Sequence, residues 1–415
     1  MKTLYVFGDF EWLVSPFLIG ELGYESLRGA DSYSFKFNPE WLKKYGSICL
    51  SADINNYTGQ QYTQPGKDIF GCFSDALPDR WGKTLLNRRE QILAAEEKRA
   101  VRRLSSYDYL IGIDDFSRMG GLRFKESLDG SFIHSDDYLR IPPITDIRSL
   151  VQASMEFERS EKNNLMPEKR WLQQLIQPGS SLGGARPKAG VRDEDGYLCV
   201  AKFPSRNDDY DVALWEHHSH LLAHEAGVTV AKTRVVGCGE RYHVLLSRRF
   251  DRLAEGKRVH FASALTLLGL TDGCDANTGN GYLDIADFIL QNCCDVTENL
   301  HQLYRRVAFN VAICNTDDHF RNHGFLLTPR GWTLSPAYDM NPTLWHNQSL
   351  LINSVTNESD LNILLDSCEE YMINHKDAEK IISEVKSAVG KWKEIAVSLG
   401  IAKREIDMFE QIYES

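Results

Sequence analysis

The amino-acid sequence predicts an α+β fold in which a mixed α/β N-terminal region is followed by an all-α C-terminal region. Residues 1–60 alternate apolar and polar side chains over short stretches, as in YSFKF at 33–37, and this is the periodicity of β-strands. From Leu265 onward the strand signals fade and long helical patterns dominate, notably over 298–314 and 376–399. The change of pattern therefore separates the two regions near residues 255–265.

Other segments follow the same periodicities in chain order. Helical patterns are predicted over 73–103, 146–176 and 211–226, and strands over 196–203, 230–236 and 242–250. A polar stretch that ends in Ile141-Pro142-Pro143 gives the first domain boundary. The sequence thus predicts three domains, over residues 1–145, 146–258 and 259–415.

The composition is that of an ordinary globular protein. Apolar residues make up 42% of the 415 residues and charged residues 25%, which excludes a disordered chain, a collagen and a simple coiled coil. The formal charge of −11 makes the chain a poor general binder of phosphate backbones, so a basic partner is expected to supply any contact with DNA. The sequence has no apolar run long enough for a membrane helix and no CxxC pair among its nine cysteines, so a cytoplasmic protein is predicted.

A glycine-rich loop, GSSLGGARPK at 179–188, is the first candidate binding element. Glycines let backbone N–H groups surround an anion, although this loop matches neither GxxxxGK[ST] nor GxGxxG. Lys202 follows in the apolar strand LCVAKF, where it must meet an anion or extend to solvent. Kinases hold nucleotide phosphates with a strand lysine after such a loop, and Glu216 on the next helix could orient Lys202. A flexible surface loop and an outward-facing lysine are the alternatives.

The most informative segment is FNVAICNTDDHFRNHGF at 309–325. An apolar helix leads into a cluster of acids, amides and histidines, and an apolar stretch follows. Asp339 comes seventeen residues after Asn322, beyond a strand-like segment. A hard cation such as Mg²⁺ takes one or two protein oxygens together with phosphate oxygens, and Asn322 and Asp339 would supply the protein oxygens.

Asp317 then remains to accept a proton from a substrate hydroxyl, or to orient it. Asp318 and His319 compete with it for this role. A capped helix end whose turn residues satisfy one another is the alternative without chemistry.

Two further patterns suggest binding sites but have simpler interpretations. Four histidines share one helical pattern: His217, His218, His220 and His224. His220 and His224 are four residues apart, as two metal ligands on a helix can be, but no third ligand accompanies them. The basic segment Arg80–Arg103 could attract nucleic acid, but its interleaved glutamates favour a solvated face or a protein contact.

These residues, in this order, resemble the HipA family of bacterial serine/threonine kinase toxins over nearly the whole chain. DDHFRN at 317–322 is similar to the family's DxHxxN catalytic loop, and Ala337-Tyr338-Asp339 is similar to its metal-binding YD. The looser similarities are SSLGGARPK to the phosphate loop, AKF at 201–203 to the strand lysine, SRRFDR at 247–252 to the ERFDR stretch beside adenine, and segments 76–79 and 111–121 to the N-terminal subdomain. Arg248 replaces the family's frequent Glu, and Arg186 its usual Gln.

The resemblance implies a kinase-like, two-lobed fold, with residues 1–145 as the family's N-terminal subdomain, 146–258 as the nucleotide-binding lobe and 259–415 as the catalytic lobe. Asp317 would be the catalytic residue, and Asn322 and Asp339 would hold the metal. The implied nucleotide-binding residues are Ser181, Gly183, Gly184, Ala185, Lys188, Lys202, Ser247, Arg248, Phe250 and His319.

The resemblance also implies ATP and Mg²⁺ as cofactors and phosphorylation of a Ser or Thr on a cellular protein, an aminoacyl-tRNA synthetase by analogy. It implies autophosphorylation at Ser181, after which the loop would seek basic residues such as Arg186 or Lys188. The implied partner is a small helix-turn-helix antitoxin, similar to HipB, through which the kinase reaches operator DNA. A small-molecule phosphotransferase and a non-catalytic corepressor are the alternatives.

Overall fold

A computed structural model of the chain describes residues 1–27, 30–135, 141–176, 186–239, 242–253, 256–345 and 347–413. Contacts within the chain divide it into two compact units. The first unit contains Met1–Asp208, Cys238–Arg241 and Asp251–Ala262, and the second contains Asp209–Gly237, Tyr242–Phe250 and Ser263–Ser415. Each unit therefore combines segments that are distant in sequence.

The first unit begins with an antiparallel sheet. Its strands are β1 (Lys2–Gly8), β2 (Phe17–Leu27), β3 (Ala30–Phe37), β4 (Gln60–Tyr62) and β5 (Leu122–Lys125). They lie in the order β4-β3-β2-β1-β5. Successive side chains of a strand point to opposite faces, so Leu4 and Val6 of β1 are buried while Tyr5 between them is partly exposed. The apolar residues of the alternating pattern in residues 1–60 thus form the buried face of this sheet.

The helices of the first unit are α1 (Pro39–Tyr45), α2 (Gly71–Ser74), α3 (Arg80–Glu96), α4 (Ser106–Ile111), α5 (Ile147–Lys162) and α6 (Lys169–Ile176). Helix α3 begins where the Asp79 side chain accepts a hydrogen bond of 2.7 Å from the backbone N–H of Gly82. It ends at Glu96, and Lys98 just beyond has a left-handed backbone with φ of 53°.

A β-hairpin follows these helices in the first unit. Its strands are β6 (Lys188–Arg192) and β7 (Leu198–Lys202), and their register places Lys188 opposite Lys202. The turn between them includes Gly196, whose φ of 83° favours glycine. The hairpin therefore carries two predicted phosphate-binding lysines on one face.

The second unit is mainly helical. Its helices are α7 (Val212–Glu225), α8 (Ala264–Leu267), α9 (Tyr282–Asn292), α10 (Val296–Ala312), α11 (Leu361–Asp366), α12 (His375–Val389), α13 (Trp392–Ser398) and α14 (Lys403–Tyr413). Helix α10 packs against α9, α11 and α12, and it buries Leu303 and Val307 among them.

Short strands complete the described structure: β8 (Thr233–Gly237), β9 (His243–Arg248), β10 (His260–Ser263), β11 (Gly324–Thr328) and β12 (Gly331–Leu334). Strand β8 pairs with β9, and β11 pairs with β12, in antiparallel hairpins. Strand β10 spans the point in the sequence where the first unit ends and the second resumes.

The α+β class predicted from the sequence is confirmed. The prediction of an all-α C-terminal region is wrong in one respect: the region is predominantly helical, but the strand-like segment expected between Asn322 and Asp339 is a β-hairpin, β11–β12. The division at residues 145 and 258 stays a prediction. Within the described ranges, no helix is long and apolar enough to cross a membrane.

Candidate active site

The loop after α10 carries the predicted catalytic residues. Helix α10 ends at Ala312, and Cys314 then takes a left-handed conformation with φ of 51°. The backbone N–H of Asn315 donates to the carbonyl oxygen of Asn310 at 2.8 Å, and the N–H of Ser349 donates to the carbonyl of Thr316 at 3.0 Å. The loop therefore leaves the helix in a defined direction before it reaches Asp317.

Asp317 and Asp318 have opposite environments although they are adjacent. Asp317 is exposed, whereas Asp318 is 3% exposed. The Oδ2 atom of Asp318 accepts hydrogen bonds from Tyr282 Oη at 2.8 Å, Asn310 Nδ2 at 2.6 Å and His323 Nε2 at 2.8 Å. Because this carboxylate is buried and engaged, it is unsuited to take a proton from a substrate, and Asp317 is the better placed of the two.

The hairpin β11–β12 brings the two predicted metal ligands to one end of the site. Phe325 pairs with Leu334, so Asn322 just before β11 and Asp339 soon after β12 lie on the same side of the hairpin. Tyr338 Oη donates to the carbonyl oxygen of Arg321 at 2.6 Å, which ties the two segments together. The structure thus brings together residues that are seventeen positions apart.

Asp317 lies close to both predicted ligands. Asn322 Nδ2 donates to the main-chain oxygen of Asp317 at 3.0 Å. Partial burial of the carboxyl group raises the pKa of Asp317 above its usual value. The charge of His319 opposes the rise, and the carboxylates of Asp339 and Asp318 add to it. A carboxyl group with a raised pKa holds a proton more readily, as a proton acceptor in catalysis must.

The side chains near Asp339 fit a hard cation. Asp339 has a left-handed backbone with φ of 59°, and Asn341 Nδ2 lies 3.5 Å from its Oδ1. The Oδ1 atom of Asn341 is buried and has no hydrogen-bond partner. A buried carbonyl oxygen without a donor is costly, and carboxylate and amide oxygens are the ligands that Mg²⁺ prefers.

In the part of the chain that the structure describes, no group of three or more His, Cys, Asp or Glu side chains could hold a metal ion. The predicted ligand set is of another kind, because it has one amide and one carboxylate. Mg²⁺ needs only one or two protein oxygens when phosphates and water supply the rest. Asn322 and Asp339 are sufficient for that arrangement.

The lysines of the first unit are held differently from each other. Lys188 is 2% exposed, and its Nζ lies 3.0 Å from Asp79 Oδ2. Lys202, opposite it on β7, is partly exposed. Trp81 Nε1 also donates to the carbonyl oxygen of Lys188 at 3.1 Å. Lys188 is therefore part of a buried ion pair, and Lys202 is the more accessible cation.

The remaining residues of the glycine-rich loop are only partly described. Ser181, Gly183, Gly184 and Ala185 lie outside the described residues. Arg186, the first residue described after them, forms a bidentate ion pair with Asp208, in which Nη1 lies 2.9 Å from Oδ1. A phosphate on Ser181 would have to compete with this carboxylate for Arg186.

The SRRFDR segment is divided between the two units, with residues 247–250 in the second and Asp251 and Arg252 in the first. Ser247 and Arg248 lie in β9, and the Arg248 N–H donates to the Lys232 carbonyl at 2.8 Å. The ring of Phe250 lies 5.6 Å from that of Tyr338, so it adjoins the YD segment.

Asp251 and Arg252 belong to the first unit, where both are buried. Asp251 Oδ2 accepts from the Gly120 N–H at 2.8 Å, and Arg252 donates to the carbonyl oxygen of Gly120 at 3.0 Å. These two residues of the motif therefore stabilise a loop of the first unit.

The two secondary patterns of the sequence have structural roles here. His217, His218 and His220 hydrogen-bond to Thr233 Oγ1 and to the carbonyls of Trp392 and Ala231. In the basic segment, Glu90 pairs with Arg99 and Arg102, and Arg88 pairs with Glu161. Glu216, which the sequence offered as a partner for Lys202, is buried in α7 of the second unit.

Comparison with protein families identifies the chain's relatives. The model of the HipA-like C-terminal domain matches residues 180–392, which is just over half of the chain. The chain belongs to the HipA family. The HipA N-terminal domain matches residues 14–107 as well. The resemblance noted in the sequence is therefore confirmed.

Two curated relatives share part of the sequence. A candidate kinase of Haemophilus influenzae is 26% identical over 205 residues, which cover 45% of this chain and 57% of that protein. The serine/threonine-protein kinase toxin HipA of Shewanella oneidensis is 24% identical over 224 residues, which cover 48% of this chain and 50% of that protein. The chain spans about half the length of the curated relatives it matches.

The fold is that of a solved HipA. The HipA chain in a complex of Shewanella oneidensis HipA, HipB and operator DNA superposes with a TM-score of 0.68. The match covers 99% of this chain and 95% of that chain at 17% sequence identity. At this identity the likeness establishes the kinase-like HipA fold.

Two features of the site escaped the sequence analysis. The partner of Lys188 is Asp79, which lies 109 residues earlier and which the sequence offered only as part of the N-terminal segment 76–79. The second is Asn341, two residues after Asp339, whose side chain faces the Asp339 carboxylate. The spacing of two residues does not predict this contact, because Asp339 has a left-handed backbone with φ of 59° and the segment is not a strand.

Proposed function

We propose that this chain is an ATP- and Mg²⁺-dependent protein serine/threonine kinase and the toxin of a toxin–antitoxin system. The observation that carries the proposal is the exposed Asp317 carboxylate, close to Asn322 and to the charge of Asp339. Membership of the HipA family supports it, as does the name of the Shewanella relative.

In this proposal the γ-phosphoryl group moves from ATP to a substrate hydroxyl oxygen, and ADP leaves. Asp317 orients that hydroxyl and accepts its proton. Asn322 and Asp339 hold Mg²⁺, which when bound neutralises charge on the phosphate oxygens. Lys202 is the accessible lysine of the β6–β7 hairpin and contacts phosphate oxygens, whereas Lys188 supports the hairpin through Asp79.

The proposed partners follow from the charge of the chain and from its structural relative. The Shewanella HipA was solved with HipB and operator DNA. A chain with a formal charge of −11 is a poor general binder of phosphate backbones, and a HipB-like helix-turn-helix antitoxin would supply the contact with DNA. We propose a cytoplasmic protein whose substrate is a cellular protein, with an aminoacyl-tRNA synthetase as the first one to test.

We also propose that Ser181 is autophosphorylated. A phosphate adds roughly −1.5 to −2 charges, which would repel ATP from a loop that binds its phosphates. Protein with and without Asp317→Asn is incubated with ATP and Mg²⁺ and analysed by mass spectrometry. We expect phosphate on Ser181 only in the chain with Asp317. An unmodified Ser181 in an active kinase would refute the switch.

The central experiment uses labelled ATP with Mg²⁺ and a bacterial lysate, with the Asp317→Asn chain as its control. Label on a protein, absent from the control, supports the kinase. Label confined to a metabolite would favour a small-molecule phosphotransferase. A chain that binds no nucleotide would favour a corepressor.

A further inference from the structure

A buried polar cluster surrounds Asp318, the neighbour of the proposed catalytic residue. Its three hydrogen-bond donors come from different elements, since Tyr282 begins α9, Asn310 lies near the end of α10 and His323 precedes β11. Tyr282 and His323 are themselves 0% exposed. One carboxylate oxygen thus joins the catalytic loop to two helices and to the hairpin.

The cluster extends to the segment that leads to Asp339. Arg306 of α10 is 2% exposed, and its Nη2 donates to the carbonyl oxygen of Ser335 at 2.6 Å. Burial by itself would raise the pKa of Asp318, but the charge and hydrogen bond of His323, with Tyr282 and Arg306, outweigh this effect and lower it. Asp318 is therefore held as a buried carboxylate between the catalytic loop and the segment that leads to Asp339.

We propose that Asp318 is a positioning residue that directs the Asp317 carboxylate outward, toward the substrate hydroxyl. This inference rests on the proposed kinase function. Residues 315–319 are neither helical nor paired in a sheet, so the local backbone alone leaves their side chains many directions. Three hydrogen bonds hold Asp318 inward and so fix the backbone next to it, and the adjacent Asp317 side chain is exposed.

A positioning role differs from a merely stabilising one in what its loss does to the kinetics. A stabilising residue changes the number of folded molecules, and each folded molecule keeps its rate. A positioning residue changes the rate of each folded molecule, because a misplaced catalytic group loses reactivity even after small shifts. Because the proposed role of Asp317 is to act on the substrate hydroxyl and not on the nucleotide, we expect the KM for ATP to stay unchanged.

The test compares Asp318→Asn and Tyr282→Phe with wild type. Asp318→Asn keeps the shape and removes the charge, and Tyr282→Phe removes one donor and leaves the carboxylate. The matched control is Asp295→Asn, which makes the same chemical change in the Asp295–Arg330 ion pair at the opposite end of α10. Phosphoryl transfer is measured over a range of ATP concentrations at saturating Mg²⁺, which gives kcat and the KM for ATP, and each kcat is divided by the nucleotide-binding stoichiometry from calorimetry.

We expect kcat per binding-competent molecule to fall at least tenfold in Asp318→Asn and severalfold in Tyr282→Phe, with KM for ATP within twofold of wild type in both. The Asp295→Asn control keeps its kcat. Rates within twofold of wild type in Tyr282→Phe and in any folded Asp318→Asn protein would overturn the inference, as would losses that the stoichiometry fully explains. If Asp318→Asn does not fold, Tyr282→Phe decides. A wild type that binds nucleotide but transfers no phosphate refutes the proposed function instead.

Discussion

The buried pair of Lys188 and Asp79 gives a direct test of what a predicted phosphate-binding lysine does. Both side chains are 3% exposed, and the charged atoms lie 3.0 Å apart. At an effective dielectric constant of about 20 this separation corresponds to an attraction of about 5 kcal/mol, against which desolvation of both ions acts. Removing one partner leaves a buried charge, so we expect each single substitution to lower the free energy of unfolding by about 3–5 kcal/mol.

A double-mutant cycle separates the pair from its surroundings. Asp79→Asn keeps the cap of α3, because asparagine also caps helices well, and Lys188→Met keeps an unbranched apolar side chain. We expect the loss of unfolding free energy in the double variant to be about 3 kcal/mol smaller than the sum of the two single losses, and this difference is the coupling energy of the pair. Urea unfolding at pH 7 without nucleotide, followed by circular dichroism, measures all four proteins.

The exposed pair of Lys169 and Glu96 is the matched control. Its atoms lie 2.8 Å apart, but the two side chains are 50% and 48% exposed. Its coupling should not exceed about 1 kcal/mol, because solvent screens such pairs. If the coupling between Lys188 and Asp79 is no larger than that of the control, the assignment of Lys188 to a structural pair is wrong.

Three further predictions concern the catalytic loop and the basic helix. Asp317→Asn should keep nucleotide binding, measured by calorimetry, while phosphoryl transfer falls by several orders of magnitude; near wild-type transfer would eliminate its role. Asp339→Ala should weaken nucleotide binding in Mg²⁺ far more than in EDTA, and an equal loss in both would point to a folding defect. Arg99, with Arg102, lowers the pKa of the 4% exposed Glu90 to about 2 from 4.5, so this stabilisation is complete above pH 4.5 and is lost as the pH falls toward 2. Glu90→Gln should therefore lower the free energy of unfolding by about 2 kcal/mol at pH 7, since solvent screens the exposed arginines, and by little near pH 2. Urea unfolding at both pH values measures this loss, and a loss that does not change with pH would contradict the prediction.

Local patterns in the sequence predicted the elements that local physics determines. The helix expected over 211–226 is α7, which begins after Asp211 because that side chain accepts from the Leu214 N–H at 3.1 Å. The single helical pattern over 146–176 forms two helices, α5 and α6. The helix is interrupted near Asn164, which has a left-handed backbone with φ of 51°, and Pro167 follows. The pattern over 376–399 is likewise interrupted at Gly390, between α12 and α13.

Contacts between distant residues were beyond the sequence. The sequence favours Asp317 over Asp318 only through the DxHxxN spacing, and the donors from Tyr282 and Asn310 that bury Asp318 could not be read from it. The basic segment predicted to be helical to residue 103 ends at Glu96, and Arg99 and Arg102 then pair with Glu90. In each case tertiary packing determines which residues become partners, and the periodicity of the sequence does not report on such contacts.

The hairpin β11–β12 bears on how relatives of this chain can diverge. Asn322 and Asp339 lie on the same side of the hairpin because Phe325 pairs with Leu334 at its base, and Pro329 and Arg330 form its tip. Insertions at that tip would lengthen the interval without moving either side chain, since hairpin ends tolerate added residues well. A search for homologues that fixes the interval between the two metal ligands at seventeen residues would therefore overlook members with a longer hairpin. The strand pairing at the base of the hairpin, and not the length of the interval, keeps the two side chains on the same side.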